Sequence, residues 1–597
     1  MQRPDDTTRP TARAWVVGGP ALARPSRGAV LQWGVLALAV VLVLPGLFRL
    51  AGSTMEEGFM LVFPERLRAG DVPNVDFLHL YGPGSLHVLV GWFELLGTSL
   101  TSQRIFGLLQ LLAGGAAVVV ITRPTGRVLA TMAGLCFLVL MITPTGLAAL
   151  AWPGALALGL WSIAVGLRSR AAIGRARLRL QLVAGLLAGL ALSFRPDMIV
   201  ALLLGWVVLF VLRVTVVPVV VGALVGLLPM WVHLVMAGIG PSWQGMFLDP
   251  VVELRPGRSL PVPPSWTFVD GALQALSEDP IYAPWWGLPA PSASQQLFLW
   301  FWFVVAANIA VPVVLLVAWR RRTEIRHLLE PLLAAALFGL GLTGQAMQRP
   351  DSTHLAWGSA VTFAILAPTI GVVLGRGAWR RVVIPFAAVS LVLLIVAPFF
   401  TLRPYLLTTR ISLGNKDGGY EVVRDDRRFI APNTATQLAS QAAVDDLERL
   451  STPGERLLVG PADLSRAVYN DVVFYHLFPE LDPATYFIEM DPGLADAPSS
   501  GLSADVASAD WLILTNFWTG WFEPNASSTF GDPGPNKVVA ERFCLVGNYD
   551  DALVMLYRRC ATGDGIDPAT IGIGPDRRAD FERQRDRRYG GGPPGAS

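Results

Sequence analysis

The sequence predicts an α-helical polytopic membrane protein, with about eleven transmembrane helices and a C-terminal α/β domain outside the membrane. Of its 597 residues, 53% are hydrophobic and only 15% are charged, whereas a soluble domain carries about 25% charged residues. Apolar runs of about 18 residues or more, long enough to cross a bilayer, recur as far as residue 402. Beyond that point the composition becomes that of an ordinary soluble protein.

The first predicted element is a basic, proline-rich segment, residues 1–28, which is expected to be disordered and cytoplasmic. The apolar run at 29–50 is too long for the core of a signal peptide and is expected to remain as the first span. With the arginine-rich loops on the cytoplasmic side, the transmembrane domain covers 29–402, and its long loops 51–103 and 238–296 lie outside. The sequence therefore predicts a multi-pass protein of the plasma (inner) membrane.

The segment 84–97 decides this orientation. It is short for a span and contains His87, Trp92 and Glu94, so it is expected to lie along the outer interface instead of crossing the bilayer. If it crossed, every later loop would change sides, and the basic loop at 168–179 would lie outside the cell.

Residues 403–562 are expected to form the external α/β domain. Strand patterns at 422–424, 457–460 and 511–514 alternate with an amphipathic helical pattern at 443–450. Strands that alternate with helices are typical of a small α/β domain.

Two cysteines of this domain, Cys544 and Cys560, flank a predicted hairpin at 545–557. An oxidising external compartment would permit them to form a disulfide. Cys136 lies in an apolar segment and is expected to be a small buried hydrophobic residue. The tail, residues 563–597, is charged and rich in Gly and Pro, and is expected to be disordered.

Candidate chemistry begins with Glu56 and Glu57, directly after the first span. Ionisable residues at a membrane boundary are costly unless they have a use, and one such carboxylate could take a proton from an acceptor hydroxyl. Equally, both could be ordinary acidic residues in the first turn of a helix. Adjacent helical residues point about 100° apart, so only one of the two is expected to enter a site.

Asp76, His79 and Tyr81 follow in the same loop, ahead of a turn at Pro83. Their spacing allows them to orient a sugar or to complete an acid–base pair. Structural capping before the proline is the alternative interpretation.

Two turns on the predicted outer face share the sequence Arg-Pro-Asp: one contains Arg195 and Asp197, the other Arg349 and Asp351. In the second turn, Asp351 or the serine after it can cap the next helix, and His354 lies on the same helical face. An arginine beside a helix N-terminus suits a phosphate. For the second turn, the alternative is a helix cap with an interfacial arginine. For both turns as a phosphate site, a local salt bridge is equally possible.

Several functions are disfavoured by what the sequence lacks. The formal net charge of +2 gives no electrostatic basis for binding nucleic acid. A phosphate-binding loop with Gly-rich sequence and Lys-Ser/Thr, a Cys/His metal pattern and a Gly-x-Ser-x-Gly elbow are all missing. ATP-driven transport and serine hydrolysis are therefore disfavoured.

The loop at 51–103 resembles the first external loop of GT-C membrane glycosyltransferases, in the branch of protein mannosyltransferases and lipid A aminoarabinose transferases. A strong arginine bias also suggests a bacterial source. The residues that carry the resemblance are Glu56-Glu57-Gly58, Arg68-Ala69-Gly70-Asp71-Val72-Pro73, Asp76-Phe77, Tyr81-Gly82-Pro83-Gly84, Leu96-Gly97 and Arg104.

This resemblance implies a GT-C-like fold and transfer of a sugar from a polyprenyl-phosphate donor to a glycan, lipid or protein acceptor on the outer face. The family's acidic pair falls on Glu56 and Glu57, and a third acidic position falls on Asp76. One carboxylate, with a slight preference for Glu56, would act as base in an inverting displacement. Arg349 and Arg195 have no clear counterpart in the family pattern. The physical argument above, and not the resemblance, suggests that one of them stabilises the departing phosphate. No metal cofactor is expected to be required, because a monophosphate leaving group needs less metal assistance than a diphosphate.

The alternative is a non-catalytic protein that binds or transports lipid-linked glycans. Such a transporter is expected to have internal repeats or broken helices with polar groups at mid-membrane. Here the notable polar groups collect at one surface, which favours transfer chemistry. A membrane anchor for the C-terminal domain would not need so many spans.

Overall fold

The computed structural model describes residues 26–267, 291–375, 377, 379–396, 398–415, 418–518, 523–529 and 531–560. Most of the N-terminal segment 1–28 and all of the tail 563–597, both predicted to be disordered, lie outside the described residues.

The N-terminal two thirds of the chain is a bundle of helices connected by short turns. Helices occupy each stretch that the hydropathy pattern predicts to span the membrane. The helices up to the 238–296 loop are α1 Arg27–Val41, α2 Leu44–Arg49, α3 Glu56–Ala69, α4 Gly84–Leu96, α5 Leu100–Thr122, α6 Arg127–Thr145, α7 Ala151–Ser169, α8 Gly174–Phe194, α9 Ile199–Val211, α10 Val216–Gly226 and α11 Leu228–Ala237. The helices from the start of the 238–296 loop onward are α12 Ile239–Trp243, α13 Arg255–Arg258, α14 Ala293–Arg321, α15 Arg326–Gly341, α16 Thr343–Gln348, α17 Ser352–Leu374, α18 Ile384–Val396 and α19 Arg403–Ser412.

Within the described residues, seven helical segments are long and apolar enough to cross a membrane, or eight if α10 and α11 form one span bent by 46°. Shorter apolar helical segments lie at Gly84–Leu96, Arg127–Ile142 and Pro196–Val211. The chain is therefore a multi-pass helical membrane protein, and about eleven spans remains the prediction from sequence.

Close helix packing in the bundle depends on small residues, as is typical of membrane helices. In α8 and α10, glycines recur every fourth residue, at Gly185 and Gly189 and at Gly222 and Gly226. A Cβ atom on Gly185 would lie 2.0 Å from the carbonyl oxygen of Val219. These glycines therefore let the two helix backbones lie directly against each other.

The C-terminal part is an α/β domain, as the sequence predicts. Its strands are β1 Tyr420–Arg424, β2 Arg427–Ala431, β3 Arg456–Pro461, β4 Asp482–Pro483, β5 Trp511–Thr515, β6 Phe543–Tyr549 and β7 Val554–Arg559. The main sheet has the strand order β4-β3-β5-β7-β6, with β3 parallel to β4 and β5, and β7 antiparallel to β5 and β6. The central strand β5 is buried at every position, which explains its uninterrupted apolar sequence. The helices of this domain are α20 Thr434–Leu450, α21 Val473–Leu477, α22 Leu502–Ser508 and α23 Gly534–Arg542.

Cys544 and Cys560 form a disulfide with Cα atoms 5.1 Å apart, and it links the outer strand β6 to the end of β7. Cys136 is buried and free. Helix α19, at the start of the predicted external domain, packs against α2, where the Gly46 N–H donates to Ser412 Oγ at 2.8 Å.

The α/β domain docks on the 51–103 loop. The first helix of that loop, α3, packs against α21, and the Val473 N–H donates to the carbonyl of Thr54 at 3.1 Å. A Cβ atom on Gly58 would lie 2.5 Å from the Val473 nitrogen, so only glycine permits this approach. On the outer side of α3, Arg427 forms a salt bridge with Glu65 at 2.7 Å. This docking closes one side of the cavity described next.

Candidate active site

A cavity of about 1230 Å³ lies where the 51–103 loop, the 238–296 loop, the helix ends and the α/β domain meet. Part of its wall is apolar and comes from α2 and from the segment around α19. That part contains Leu47, Leu50, Phe399, Phe400 and Leu407. The predicted site residues that line the cavity are Glu56, Glu57, Tyr81, Arg195, Arg349 and His354.

The two adjacent glutamates have different environments. Glu57 is 5% exposed and forms a two-bond salt bridge with buried Arg104, whose Nε and Nη2 donate to the carboxylate at 2.7 and 2.8 Å. Arg104 also donates to the carbonyl of Leu47 at 3.1 Å. Both oxygens of Glu57 are thus held by one arginine, which makes this pair a structural link between α3 and α5.

Glu56 begins the same helix and lines the cavity without forming a salt bridge among the described residues. Its backbone N–H is bonded to Ser53 Oγ at 3.2 Å, which fixes the start of the helix. Burial raises the pKa of Glu56 above its usual value. A hydrogen bond with its own backbone and the charges of Arg258 and Arg349 oppose that rise only in part. A raised pKa makes the Glu56 carboxylate a stronger proton acceptor than an ordinary glutamate, and no salt bridge in the described part of the chain engages it.

Arg349 lies at the centre of a buried ion network. Its Nε donates to Asp351 at 2.8 Å, and its two terminal nitrogens donate to Glu523 of the α/β domain, one of them at 2.9 Å. Nη1 donates to the carbonyl of Arg258 at 2.5 Å, and Nη2 lies 3.4 Å from Tyr469 Oη. Each nitrogen of this guanidinium therefore has a protein acceptor.

Asp351 caps helix α17; it is one of the two residues that the sequence predicts as the cap. Its side chain accepts from the His354 N–H at 2.9 Å and contacts His354 Nδ1 at 2.9 Å. Despite burial, the electrostatic interaction and the hydrogen bonds with His354, together with the charge of Arg349, hold the pKa of Asp351 well below its usual value. The His354 ring, in turn, packs against Trp357 with ring centres 4.9 Å apart.

The other Arg-Pro-Asp turn forms a smaller pair. Arg195 donates to Asp197 through Nε and Nη2 at 2.9 and 2.8 Å, and Asp197 also accepts from Gln345 at 2.9 Å. The guanidinium carbon of Arg195 lies 4.7 Å from the ring centre of Tyr81. Nη1 of Arg195 has no acceptor in the described ranges, and it belongs to a side chain that lines the cavity.

Asp76 and His79 do not join this group, although they are predicted with it. Asp76 is exposed, and its carboxylate accepts from the Val72 N–H at 2.7 Å, so it stabilises a local turn. His79 is fully buried and does not line the cavity, and burial lowers the pKa of its ring to about 3. The physical reason is local: Asp76 stabilises its own turn, and the His79 ring packs between Phe63 and Tyr81, with ring centres 5.6 and 5.8 Å away.

Several cavity residues were missed by sequence reasoning. Arg258 comes from the 238–296 loop, and Tyr469, Glu489 and Asp491 come from the α/β domain. Arg258 donates to Asp491 through Nε at 2.9 Å and lies 4.1 Å from the ring centre of Tyr469. The one available signal was the spacing of Glu489 and Asp491, since residues two apart in an extended segment point to the same side.

Within the described parts of the chain, no group of three or more His, Cys, Asp or Glu side chains could hold a metal ion. No protein-family model matches the sequence, and no curated protein matches it either.

Solved structures that are similar to the chain include ArnT from Cupriavidus metallidurans bound to undecaprenyl phosphate, at 14% identity and a TM-score of 0.46. This alignment covers 90% of this chain and 99% of that one. The archaeal oligosaccharyltransferase AglB from Archaeoglobus fulgidus aligns at 10% identity and a TM-score of 0.41, over 90% of this chain and 75% of that one. The arabinofuranosyltransferase AftD from Mycobacteria aligns at 14% identity and a TM-score of 0.35, over 92% of this chain and 40% of that one.

Proposed function

We propose that the chain is a membrane glycosyltransferase of the GT-C type. It transfers a hexosyl or pentosyl group from a polyprenyl-phosphate donor to a cell-envelope glycan, glycolipid or protein acceptor. The reaction takes place on the outer face of the plasma membrane, with the N-terminus in the cytoplasm. Two observations support the proposal: the loop sequence around Glu56 and Glu57, which carries the family resemblance, and the cavity that both glutamates line.

The observation that carries the proposal is the unequal pairing of the two glutamates. Glu57 is held by Arg104 through two hydrogen bonds, whereas Glu56 lines the cavity without a salt bridge in the described part of the chain. A general base must be free to reach the proton that it removes. We therefore assign the base to Glu56.

The reaction is a single displacement at the anomeric carbon. Glu56 takes the proton of an acceptor hydroxyl while the acceptor oxygen forms a bond to the anomeric carbon. The bond from that carbon to the phosphate oxygen breaks, and the polyprenyl phosphate leaves with the electron pair. The configuration at the anomeric carbon is inverted, and Glu56 must later release its proton to water.

Arg195 and Arg258 are the arginines best placed to stabilise the departing phosphate. Each uses Nε and Nη2 in a salt bridge, with Asp197 and Asp491 respectively. Nη1 of each lacks an acceptor among the residues described, and both side chains line the cavity. Arg349, one of the two arginines predicted for this role, has all its nitrogens engaged with the protein, so we assign it a structural role.

The apolar wall formed by residues such as Leu47, Leu50 and Phe400 suits the first isoprene units of the lipid. This wall and the two arginines line the same cavity, so the cavity can bind a phosphate together with an apolar chain. Burial of each isoprene unit would be favourable by roughly 25 cal/mol per Å² of apolar surface.

A panel of undecaprenyl-phosphate-linked hexoses and pentoses, tested with purified protein and envelope glycan acceptors, examines this proposal. We expect one sugar to be transferred, with no loss of rate when divalent metals are chelated. The variant Glu56→Gln/Glu57→Gln is expected to be inactive. Tight binding of a lipid-linked sugar by the wild-type protein without any turnover would instead favour the alternative of a binding or transport protein.

A further inference from the structure

The α/β domain places a buried carboxyl group in the cavity that the proposed reaction does not use. Glu489 is 3% exposed and lines the cavity, and its Oε2 has no hydrogen-bond partner among the described residues. Two residues further on, Asp491 accepts from Arg258 through Oδ1, while its Oδ2 is also without a partner there. A buried polar oxygen that lacks a partner is costly, so its persistence at a cavity wall indicates a ligand.

The protein holds the Glu489 backbone firmly in this position. The side chain of Asn470, which is fully buried, donates to the carbonyl of Ile488 at 2.8 Å and accepts from the Met490 N–H at 3.2 Å. These bonds flank Glu489 on both sides. Such a clamp restricts the direction of the side chain, as preorganised binding residues require.

Burial and the neighbouring carboxylates favour the uncharged form of Glu489, and the charge of Arg258 opposes this only in part. Its neighbours are Asp491, Arg258 and Glu56, and the Tyr81 hydroxyl is close enough to be influenced by it. Burial, reinforced by Asp491, raises the pKa of Glu489 well above its usual value. A protonated carboxyl both donates and accepts a hydrogen bond, which is what a sugar hydroxyl also does.

We propose that Glu489 is a specificity residue, supplied by the α/β domain, that binds a hydroxyl group of a sugar ring in the cavity. This inference rests on the proposed glycosyltransferase function. The hydroxyl can belong to the transferred sugar or to a glycan acceptor, because both must approach Glu56. Asp491, held by Arg258, forms the adjacent part of the same hydroxyl-binding surface.

The test compares undecaprenyl phosphate with and without the sugar that the wild-type protein transfers. Equilibrium binding of both lipids is measured in two proteins, the Glu56→Gln variant and the Glu56→Gln/Glu489→Ala double variant. The acceptor KM is measured separately, in the Glu489→Ala single variant. If Glu489 holds the donor sugar, the change to alanine lowers the affinity for the sugar-bearing lipid by about 10- to 100-fold, and leaves the bare lipid unchanged. If it holds the acceptor, donor binding is unchanged and the acceptor KM rises by a similar factor.

Two further variants keep the test interpretable. Glu489→Gln retains a donor and an acceptor at the same position and is expected to bind both substrates within about 3-fold of the wild-type protein. Glu480→Gln makes the same chemical change elsewhere in the domain, where Glu480 pairs with Arg424 outside the cavity, and should alter neither measurement. Unchanged donor binding and acceptor KM in a folded Glu489→Ala protein would overturn the inference. Failure of the proposed function would appear differently, as a wild-type protein that transfers no sugar, and would overturn both.

Discussion

The two Arg-Pro-Asp turns have the same sequence and the same internal salt bridge, but different surroundings. Around Arg349, the α/β domain adds Glu523, and the whole group is buried. Around Arg195, no second carboxylate pairs with the guanidinium in the described ranges, and Asp197 has a side chain that is 43% exposed. The local sequence determines the turn, and contacts from distant segments determine whether its arginine stays available for a ligand.

The neighbouring glutamates show the same division. Arg104 of α5 engages Glu57 completely, and Glu56 is left facing the cavity. In both pairs, one member holds the structure together and the other is available for chemistry. The predictions below test this division, beginning with the largest expected effect.

Replacement of Arg349 by Gln is expected to destabilise the protein most. Removing one partner of a buried ion pair costs about 3–5 kcal/mol, and we expect a loss near the upper end of that range. The change leaves the carboxylates of Asp351 and Glu523 buried without their positive partner. Thermal unfolding of the purified protein measures the loss. Arg195→Gln is the matched control and should cost about 1 kcal/mol or less, since its partner is partly exposed. Equal losses would show that the two turns are not different in kind.

Replacement of Glu57 by Gln should cost about 3 kcal/mol, because it leaves the Arg104 guanidinium buried without its carboxylate. The double variant Glu57→Gln/Arg104→Gln should recover part of this loss, which a double-mutant cycle of unfolding free energies detects. A coupling energy near zero would contradict the structural role assigned to the pair.

Arg195→Gln is expected to weaken binding of undecaprenyl phosphate by about 10-fold, which corresponds to about 1.4 kcal/mol. The stability of the protein should change little. Arg195→Lys should restore part of the affinity, because lysine supplies charge without the planar group that lies against Tyr81. Binding measured at two salt concentrations would reveal the contribution of charge to the affinity. An affinity that does not depend on residue 195 would show that this arginine does not bind the phosphate.

The smallest expected effect is a pH response that separates the free carboxylate from the bound ones. Because the pKa of Glu56 is raised, the group takes up a proton at a higher pH than an ordinary glutamate, and the rate should fall several-fold as the pH decreases through that value. The pKa values of Asp351 and Glu523 are lowered. Their stabilising contribution is present above the pKa of the unfolded chain and is lost only as the pH falls through the lowered folded values.

The rate should therefore decrease on mild acidification while the protein stays folded. Parallel measurements of transfer rate and of thermal unfolding between pH 5 and pH 8, about the range in which native proteins are stable, check this. A parallel decline of rate and stability would count against the separation.

Much of the fold follows from periodicity and composition. Apolar runs locate the helices, strand patterns locate the sheet, and Cys544 pairs with Cys560 as expected. The site could be predicted from the sequence only in part, because its charged residues come from segments far apart in the chain. Nothing near Arg349 in the sequence indicates Glu523, which lies 174 residues away. Conversely, the close spacing of Asp76 and His79 suggested shared chemistry where the structure has a local turn.

The central claim is that Glu56, and not Glu57, takes the proton of the acceptor. Its most direct test is the single-turnover rate of Glu56→Gln and Glu57→Gln proteins that are saturated with donor and confirmed to be folded. The account predicts a rate reduced by about 10²- to 10⁴-fold for Glu56→Gln, and a rate within about 10-fold of the wild-type value for folded Glu57→Gln, whose defect lies in stability. A wild-type rate for Glu56→Gln together with an inactive, folded Glu57→Gln protein would contradict it.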